Sequence, residues 1–346
     1  MCRPSPVNER TLRPEAFRTA VADECACERA GRRACAGTLE RVVSEQHPLV
    51  TIGLPVHNGE NFLGEALDTL RAQTLDDFEL VVSDNASTDR TAEIVEVAAS
   101  EDPRIRYVRQ ATNIGAAANF NFVFTEARGK YFCWASHDDR WAPEFLARCV
   151  KALDADGEAV VAFAGRAEID ATGAHLGDVG LRPDVGSDRV HVRFRNVLLP
   201  TQDVHPIFGV MRTDVLRQTP LMRAHIGSDR ALLAELALRG PFREVPEPLF
   251  FSRQHPERYT QGGFNRAQRL QWWSPGRTRR TVQLAHWTRL VDYASAIRRV
   301  SLTADERARC WGELLADARR RWRALAYDVM VAVRDTIPGL RARTRA

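Results

Sequence analysis

Apolar and polar stretches alternate regularly between Leu49 and about residue 150, and this alternation predicts strands and helices in turn. Four short apolar runs bounded by polar residues predict buried strands: LVTIGLP, FELVVSD, IRYVR and KYFCWAS. Between them, apolar residues recur at helical spacing in ENFLGEALDTLRAQT, STDRTAEIVEVAAS and GAAANFNFVFTEA. Strands and helices that alternate in this way are typical of right-handed βαβ units on a parallel sheet. The pattern therefore predicts an α/β fold, with Ser87 or Thr88 as the N-cap of the second helix.

The segments on either side of this region have different patterns. Residues 1–47 are rich in Arg, Ala, Glu and Cys, and their poor periodicity predicts an N-terminal extension with little fixed structure. The stretch GEAVVAFAGRAEID predicts further strands of the sheet, and after about Pro256 the sequence turns helical. We therefore expect three parts: residues 1–47, a domain over residues 48–258, and a helical C-terminal region over residues 259–346.

Charge and cysteine content narrow the function classes. The 49 basic and 45 acidic residues give a net charge of +4, which is too small to indicate a nucleic-acid partner. The seven cysteines form no framework, and the spacing of Cys25, Cys27 and Cys35 does not match a usual zinc site. We therefore expect the cysteines to be reduced thiols. The sequence has no apolar run of about 18 residues and no secretory signal, and together these features predict a cytoplasmic protein.

Polar residues follow all four predicted strands: HNG after the first, SDNAS after the second, NIG after the third and HDD after the fourth. The carboxyl ends of parallel strands form the usual ligand-binding edge of such a sheet. Asp84 and Asn85 alone could equally form a turn closed by side-chain-to-backbone hydrogen bonds. Because four segments contribute, we expect a binding site at this edge.

The adjacent carboxylates of Asp138 and Asp139 repel each other, so a positive charge is expected beside them. The chain has neither a G-x-G-x-x-G turn nor a phosphate-binding loop after its first strand. Nucleotide phosphates would therefore need a cation instead of a glycine-rich cradle. Carboxylate and phosphate oxygens together suit Mg²⁺ or Mn²⁺.

The ordered motifs resemble the family 2 glycosyltransferases, which have the GT-A fold. The likeness starts at VTIGLPVHNGENFLGEALDTLRAQTLDDFELVVSDNASTDRTAEIVE and continues through NIGAAANFN, ARGKYFCWASHDDRWAPEFL and GSDRALLAELALRGPFREVPEPLFFSRQHPER. It covers roughly residues 49–258. It implies a Rossmann-like, mostly parallel sheet flanked by helices, with a nucleotide-binding half over residues 48–140 and an acceptor half over residues 141–258. Such enzymes transfer a sugar from a nucleotide diphosphate to an acceptor hydroxyl, with inversion at the anomeric carbon.

The resemblance also implies roles for single residues. Asp139 is the expected metal ligand and Asp229 the expected general base, ionised because it begins a helix. Asp84 is expected to bind the base or ribose, and Asp138 the ribose or sugar. Many family members have a basic residue where this chain has Ala118, and a substitute phosphate contact is expected from the SRQHPER segment. The full set of expected nucleotide-sugar contacts is Pro55, Val56, Asn58, Asp84, Asn113, Asn119, Asp138, Arg253 and His255.

Two other functions remain open from the residues. A nucleotidyltransferase would need a glycine-rich opening that this chain lacks, and an inactive nucleotide-sugar-binding protein is disfavoured by the intact aspartates. The donor base, the sugar and the acceptor, whether glycan, lipid-linked or small molecule, cannot be derived from the sequence. In RRRWRALAYDVMVAVRDTI, the residues Trp322, Leu325, Ala326, Val329, Met330 and Val333 share one helical face. That face either packs on the catalytic domain or makes a peripheral contact with a membrane surface.

Overall fold

The computed structural model describes residues 47–179, 184–199, 204–258, 266–273 and 284–336. The chain divides into two units, Met1–Glu45 and Gln46–Ala346, and all described residues belong to the second. The predicted extension over residues 1–47 therefore lies outside the described residues, apart from His47.

Strands and helices alternate over the first half of the domain, as the sequence predicts. The elements are β1 (Val50–Val56), α1 (Leu63–Arg71), β2 (Phe78–Asp84), α2 (Thr91–Glu101), β3 (Ile105–Arg109), α3 (Ala116–Thr125) and β4 (Tyr131–Trp134). β1 pairs in parallel with both β2 and β4, and β2 pairs in parallel with β3. Every residue of β1, β2 and β4 is buried. Helices cover both faces of such strands, which explains their unbroken apolar runs.

The second half of the domain extends the sheet with strands of both directions. Its elements are β5 (Arg140–Trp141), α4 (Phe145–Ala155), β6 (Val161–Ile169), β7 (His175–Val179), α5 (Val190–Leu198), a 3₁₀ helix (His205–Phe208), β8 (Val210–Arg212), α6 (Thr213–Leu216), α7 (Ser228–Arg239) and β9 (Phe242–Arg253). The strand order is β3-β2-β1-β4-β8-β6-β9-β5, with β7 paired to β6 outside this path. β8 runs antiparallel to β4, whereas β6 and β9 are parallel to each other.

Four helices follow: α8 (Arg266–Trp273), α9 (Ala285–Arg299), α10 (Ala304–Arg320) and α11 (Trp322–Thr336). α10 begins with a capping box, in which Thr303 and Glu306 bond reciprocally to each other's backbone. Tyr293, Ile297 and Leu314 belong to the same apolar core as Phe132 and Phe163 of the sheet. The predicted helical region is therefore present, and it shares the core of the domain.

The N-terminus of α2 differs from the sequence-based prediction. α2 begins at Thr91, whose backbone N–H and hydroxyl both donate to Asp89 Oδ1, at 3.1 and 2.6 Å. Ser87 instead accepts a hydrogen bond from the backbone of Asn58. The predicted cap at Ser87 or Thr88 is wrong because these residues hold the neighbouring loop.

Candidate functional site

The loops after β1 and β2 are joined by hydrogen bonds at the carboxyl edge of the sheet. The Asn58 backbone N–H donates to Ser87 Oγ at 2.9 Å, and the Thr88 N–H donates to Asn58 Oδ1 at 2.9 Å. Asn58 has φ +52°, a left-handed conformation that Asn tolerates better than most residues. Pro55 and Val56 are buried directly before this loop. Three of the predicted donor contacts therefore lie together at the end of β1.

Asp84 ends β2 with both carboxylate oxygens bound by protein donors. The Ser87 N–H donates to Oδ1 at 2.8 Å, and the Tyr107 hydroxyl donates to Oδ2 at 3.0 Å. Nε of Arg109 lies 3.6 Å from Oδ2. Burial and the hydrogen bond to Asp84 raise the pKa of Tyr107 to about 12, so its hydroxyl stays a donor. Asp84 is thus held rigidly at the sheet edge.

The asparagines after β3 divide between the edge and the interior. Asn113 Oδ1 accepts from Asn85 Nδ2 at 3.1 Å, and its Nδ2 lies 3.2 Å from His57 Nε2. Asn119 is buried on α3, where Nδ2 donates to the Ser83 carbonyl and Oδ1 accepts from the Ser83 hydroxyl. Asn113 therefore belongs to the edge cluster, and Asn119 connects α3 to β2.

The carboxylates of Asp138 and Asp139 lie after β4 and are both buried. Asp138 Oδ1 accepts from the Ser136 hydroxyl, and its Oδ2 lies 3.1 Å from His255 Nε2. Asp139 Oδ1 accepts from the Arg253 backbone N–H at 2.9 Å. The pair is thus held by the end of β9, which brings four of the predicted residues together.

The guanidinium of Arg253 is only 1% exposed and points into the protein. Nε donates to the Asp138 carbonyl at 2.9 Å, Nη1 donates to two further backbone carbonyls, and Nη2 pairs with Glu65 of α1. The guanidinium carbon also lies 4.7 Å from the centre of the Phe62 ring. Arg253 therefore fixes the backbone that carries the carboxylate pair.

The two carboxyl groups differ in their tendency to ionise. Burial and the neighbouring Asp138 carboxylate raise the pKa of Asp139 to about 7. Burial would raise the pKa of Asp138 too, but a hydrogen bond from His255, the nearby His137 and Arg258, and the Ser136 hydroxyl hold it below its usual range. Asp138 is thus the charged member of the pair, and Asp139 takes up a proton more readily.

The donor atoms at this point fit a divalent cation that is shared with a substrate. No three His, Cys, Asp or Glu side chains in the described ranges form a ready metal site. Asp139 would be the better ligand for such a cation, since both oxygens of Asp138 already meet protein donors. A cation would relieve the repulsion between the two carboxylates, with its other ligands from substrate oxygens and water, as is usual for Mg²⁺.

Two contacts join the edge cluster to the carboxylate pair. A Cβ on Gly59 would lie 2.8 Å from Cδ2 of His137, so only glycine allows this approach. The Phe62 ring centre is 4.8 Å from that of His255. The segment between β1 and α1 therefore lies beside both groups.

Asp229 is the second residue of α7 and is half-buried. Its Oδ1 accepts from the Arg230 N–H at 2.7 Å. Burial raises the pKa of Asp229, although this hydrogen bond and the charges of Arg230, Arg289 and His225 oppose the rise. Burial thus acts against the effect of the helix N-terminus, and the expectation that Asp229 is ionised at neutral pH stays a prediction.

Helix α9 contacts the loop that leads to Asp229. Asp292 is buried; its Oδ2 lies 2.6 Å from His225 Nε2, and its Oδ1 pairs with Arg223. The side chain of Arg289 packs on Gly227, the residue before α7. The surroundings of Asp229 thus depend on the C-terminal helices.

Sequence reasoning missed Tyr107, Arg109 and Glu65. Tyr107 and Arg109 stand two residues apart in β3 and so share a face, which marks a polar patch beside β2. Glu65 could not be singled out from the sequence. Acidic residues are common in the first turn of a helix, because they interact favourably with the helix dipole.

Comparisons with known proteins agree with this architecture. Residues 51–218 match the family described as glycosyl transferase family 2. An uncharacterized glycosyltransferase of Rickettsia felis is 36% identical over 130 residues, which are 37% of this chain and 21% of that protein. Another from Rickettsia typhi is 35% identical over 124 residues, 36% of this chain and 38% of that protein. The matched regions thus span well under half of these relatives.

The crystal structure of S. aureus TarS 1-349 in complex with UDP-GlcNAc superposes with a TM-score of 0.60 at 15% identity, and covers 85% of this chain and 83% of that one. At this identity the likeness concerns the fold. The mixed nine-strand sheet of the described residues, with its flanking helices, matches that of GT-A proteins. Residues 51–218 therefore match glycosyl transferase family 2, and the described residues have the GT-A fold.

Proposed function

We propose that this protein transfers a sugar from a nucleotide-diphosphate donor to an acceptor hydroxyl, with inversion. The observation that carries the proposal is the buried pair Asp138–Asp139 after β4, inside the family 2 domain. TarS, which shares the fold, was crystallised with UDP-GlcNAc, and this supports a nucleotide sugar as the class of donor.

The donor would lie along the carboxyl edge of β1 and β2. Asp84 would bind the base or ribose, with Pro55, Val56, Asn58 and Asn113 around it. Because the Asp84 oxygens already accept from Ser87 and Tyr107, it would meet the nucleotide through remaining lone pairs. Arg253 and Asn119 would act by positioning, since each donates to neighbouring backbone.

Mg²⁺ or Mn²⁺ held by Asp139 and the donor diphosphate would neutralise charge on the leaving group. Asp138, fixed by Ser136 and His255, would stay ionised and face the ribose or the sugar. His255 would hold this carboxylate in place, and the predicted direct contact of His255 with phosphate remains a prediction.

Asp229 would accept the proton of the acceptor hydroxyl as that oxygen attacks the anomeric carbon. Asp229 lies at the start of α7, within residues 141–258 that are predicted to form the acceptor half, whereas Asp84, Asp138 and Asp139 lie within residues 48–140, the predicted nucleotide-binding half. A raised pKa makes a carboxylate a better proton acceptor near neutral pH. An inverting displacement needs its base on the side opposite the leaving group, and this division of the aspartates supports that geometry.

Thermal unfolding with UDP, GDP, TDP and CDP, each with and without Mn²⁺, tests the donor class. We expect one diphosphate to raise the Tm only when the metal is present, and hydrolysis of the matching nucleotide sugars to follow. Asp139→Asn should abolish this metal-dependent rise while leaving the fold intact. A rise in Tm that is the same without the metal and in the Asp139→Asn variant would contradict the proposed site.

A further inference from the structure

The last described helix, α11, presents an apolar surface to solvent. Trp322 is 60% exposed, Met330 62% and Val333 46%. With Ala326 and Val329 they occupy an arc of about 100° on the helix, since successive residues turn by about 100°. We call these five residues the outer face of α11.

The opposite side of α11 packs on the protein. Leu325 and Val331 are buried there, and Asp328 is buried against His286 of α9, with Oδ1 3.3 Å from Nδ1. Of the apolar face predicted from the sequence, Leu325 therefore points inward and the other five residues point outward. Packing on the catalytic domain does not account for the outer face.

Helix α9 extends this apolar surface. The Trp287 indole N–H donates to the Leu325 carbonyl at 3.1 Å, which anchors a partly exposed ring against α11. Val291 lies one turn further along α9 and is also exposed. Indole rings with one anchored polar group and an exposed apolar edge are suited to the boundary between water and lipid.

Positive charge borders the outer face. Arg323 and Arg334 are exposed along one edge, and the guanidinium of Arg323 lies 5.5 Å from the Trp322 ring centre. Among residues 322–334 of α11, whose side chains are described, the exposed charged side chains are arginines, and Asp328 is buried. Arg319 and Arg320 are exposed just before the helix, and the sequence after it adds Arg341, Arg343 and Arg345.

We propose that the outer face of α11 docks on an anionic lipid surface. An apolar stripe with aromatic residues and bordering arginines is the pattern of a helix that lies in the plane of a membrane interface. No described helix is long and apolar enough to cross a bilayer, so the contact would be peripheral. A second copy of the chain is a poorer occupant, because a two-fold contact of this face would bring like charges together.

Co-sedimentation of the full chain with vesicles tests this proposal. We expect binding to mixed phosphatidylglycerol–phosphatidylcholine vesicles, little binding to phosphatidylcholine alone, and loss of binding in about 0.5 M salt. Met330→Glu and Trp322→Glu should each weaken vesicle binding about tenfold or more, because each places a carboxylate in the apolar stripe. Both side chains are exposed, so the variants should keep the native circular dichroism and Tm.

Val97→Glu is the matched control, since Val97 of α2 is 55% exposed and lies outside the outer face. It should bind anionic vesicles as the native chain does. Equal loss of binding in Val97→Glu and Met330→Glu would overturn the proposal, as would equal binding to neutral vesicles. A dimer in lipid-free light scattering that Met330→Glu dissociates would also overturn it, in favour of self-association.

Discussion

The Asp139 carboxyl lies where burial and a neighbouring carboxylate both favour its neutral form. Its pKa of about 7 in the folded protein exceeds the usual value of about 4 in an unfolded chain. The folded state therefore binds a proton that the unfolded state releases. Stability from this group is present below about pH 4 and is lost as the pH rises through about 7.

We expect Asp139→Asn to remove this part of the pH dependence. In the absence of metal, the Tm of the native protein should fall by several degrees relative to the Tm of the variant as the pH rises from about 5 to about 8. Melting curves across this range measure the difference. Asp154→Asn is the control, because hydrogen bonds from Tyr131 and Lys130 lower the pKa of Asp154, so this group stays ionised across the range and the Tm of its variant should run parallel to that of the native protein. Parallel curves for native protein and Asp139→Asn would contradict the raised pKa.

Asp229→Asn tests the proposed base. We expect kcat to fall by about 10²–10⁴-fold, with affinity for the donor diphosphate nearly unchanged, because the proton moves only in the transition state. Asn can still accept the Arg230 N–H, so the Tm should hardly change.

Asp214→Asn is the matched control for this substitution. Asp214 is also the second residue of its helix, and its Oδ1 accepts from the next N–H at 2.9 Å. This variant should keep the native kcat. If Asp229→Asn keeps the native kcat, Asp229 has a structural role and is not the base. If the variant binds the donor diphosphate much more weakly, Asp229 contacts the donor instead.

At the scale of elements, a cluster of ion pairs connects α1 to β5 and β9, the strands next to the carboxylate pair. Glu65 pairs with the buried Arg253 of β9 and with the more exposed Arg140 of β5, at 2.8 Å for the latter. Arg253 in turn holds both Asp138 and Asp139 through its side chain and backbone. The position of α1 and the geometry of the site are therefore linked.

Glu65→Ala should lower the free energy of unfolding by about 1–3 kcal/mol, because it leaves the buried Arg253 guanidinium without its carboxylate. Arg140→Ala removes a pair whose two side chains are partly exposed and should cost about 0–1 kcal/mol. Urea unfolding of both variants measures these values. If the two substitutions cost the same, the Arg253–Glu65 pair contributes little.

The alternation of strands and helices was predictable from the sequence because it depends on local periodicity. The positions of Ser87, Arg253 and His255 were not, because contacts between distant segments decide them. A basic residue at a strand end suggests an exposed phosphate contact, yet Phe62 and Glu65 cover Arg253. The residues at the sheet edge were identified correctly as neighbours, whereas their hydrogen-bond partners required the structure.

At the scale of the whole molecule, the described residues belong to one unit, and their buried apolar side chains form two clusters. Apolar side chains of α9 and α10 belong to the same cluster as those of β4 and β6. The helices after residue 258 therefore share an interior with the strands of the sheet. The sequence does not predict this burial, because an amphipathic pattern does not show which surface the apolar face of a helix packs against.

Two truncations should separate these parts. Deletion of residues 1–45 is expected to leave a soluble protein with a native-like Tm, because the second unit starts at Gln46.

Deletion from residue 284 onward should give an insoluble or unfolded chain, because it exposes the apolar surface that α9 and α10 cover. Expression yield, circular dichroism and thermal melts report both outcomes. A stable fold without α9–α11 would contradict the shared core.

The contact of Asp292 with His225 and Arg223 limits how this architecture can be recombined. A chimera that takes α7 and its preceding loop from a relative, and keeps α9 from this chain, would leave the buried Asp292 carboxylate without the two side chains that contact it. Helix α7 and its loop could therefore not be exchanged without α9. The contacting residues of the loop before α7 and of helix α9 are 67 and 69 positions apart in the sequence, yet the two segments must be exchanged together.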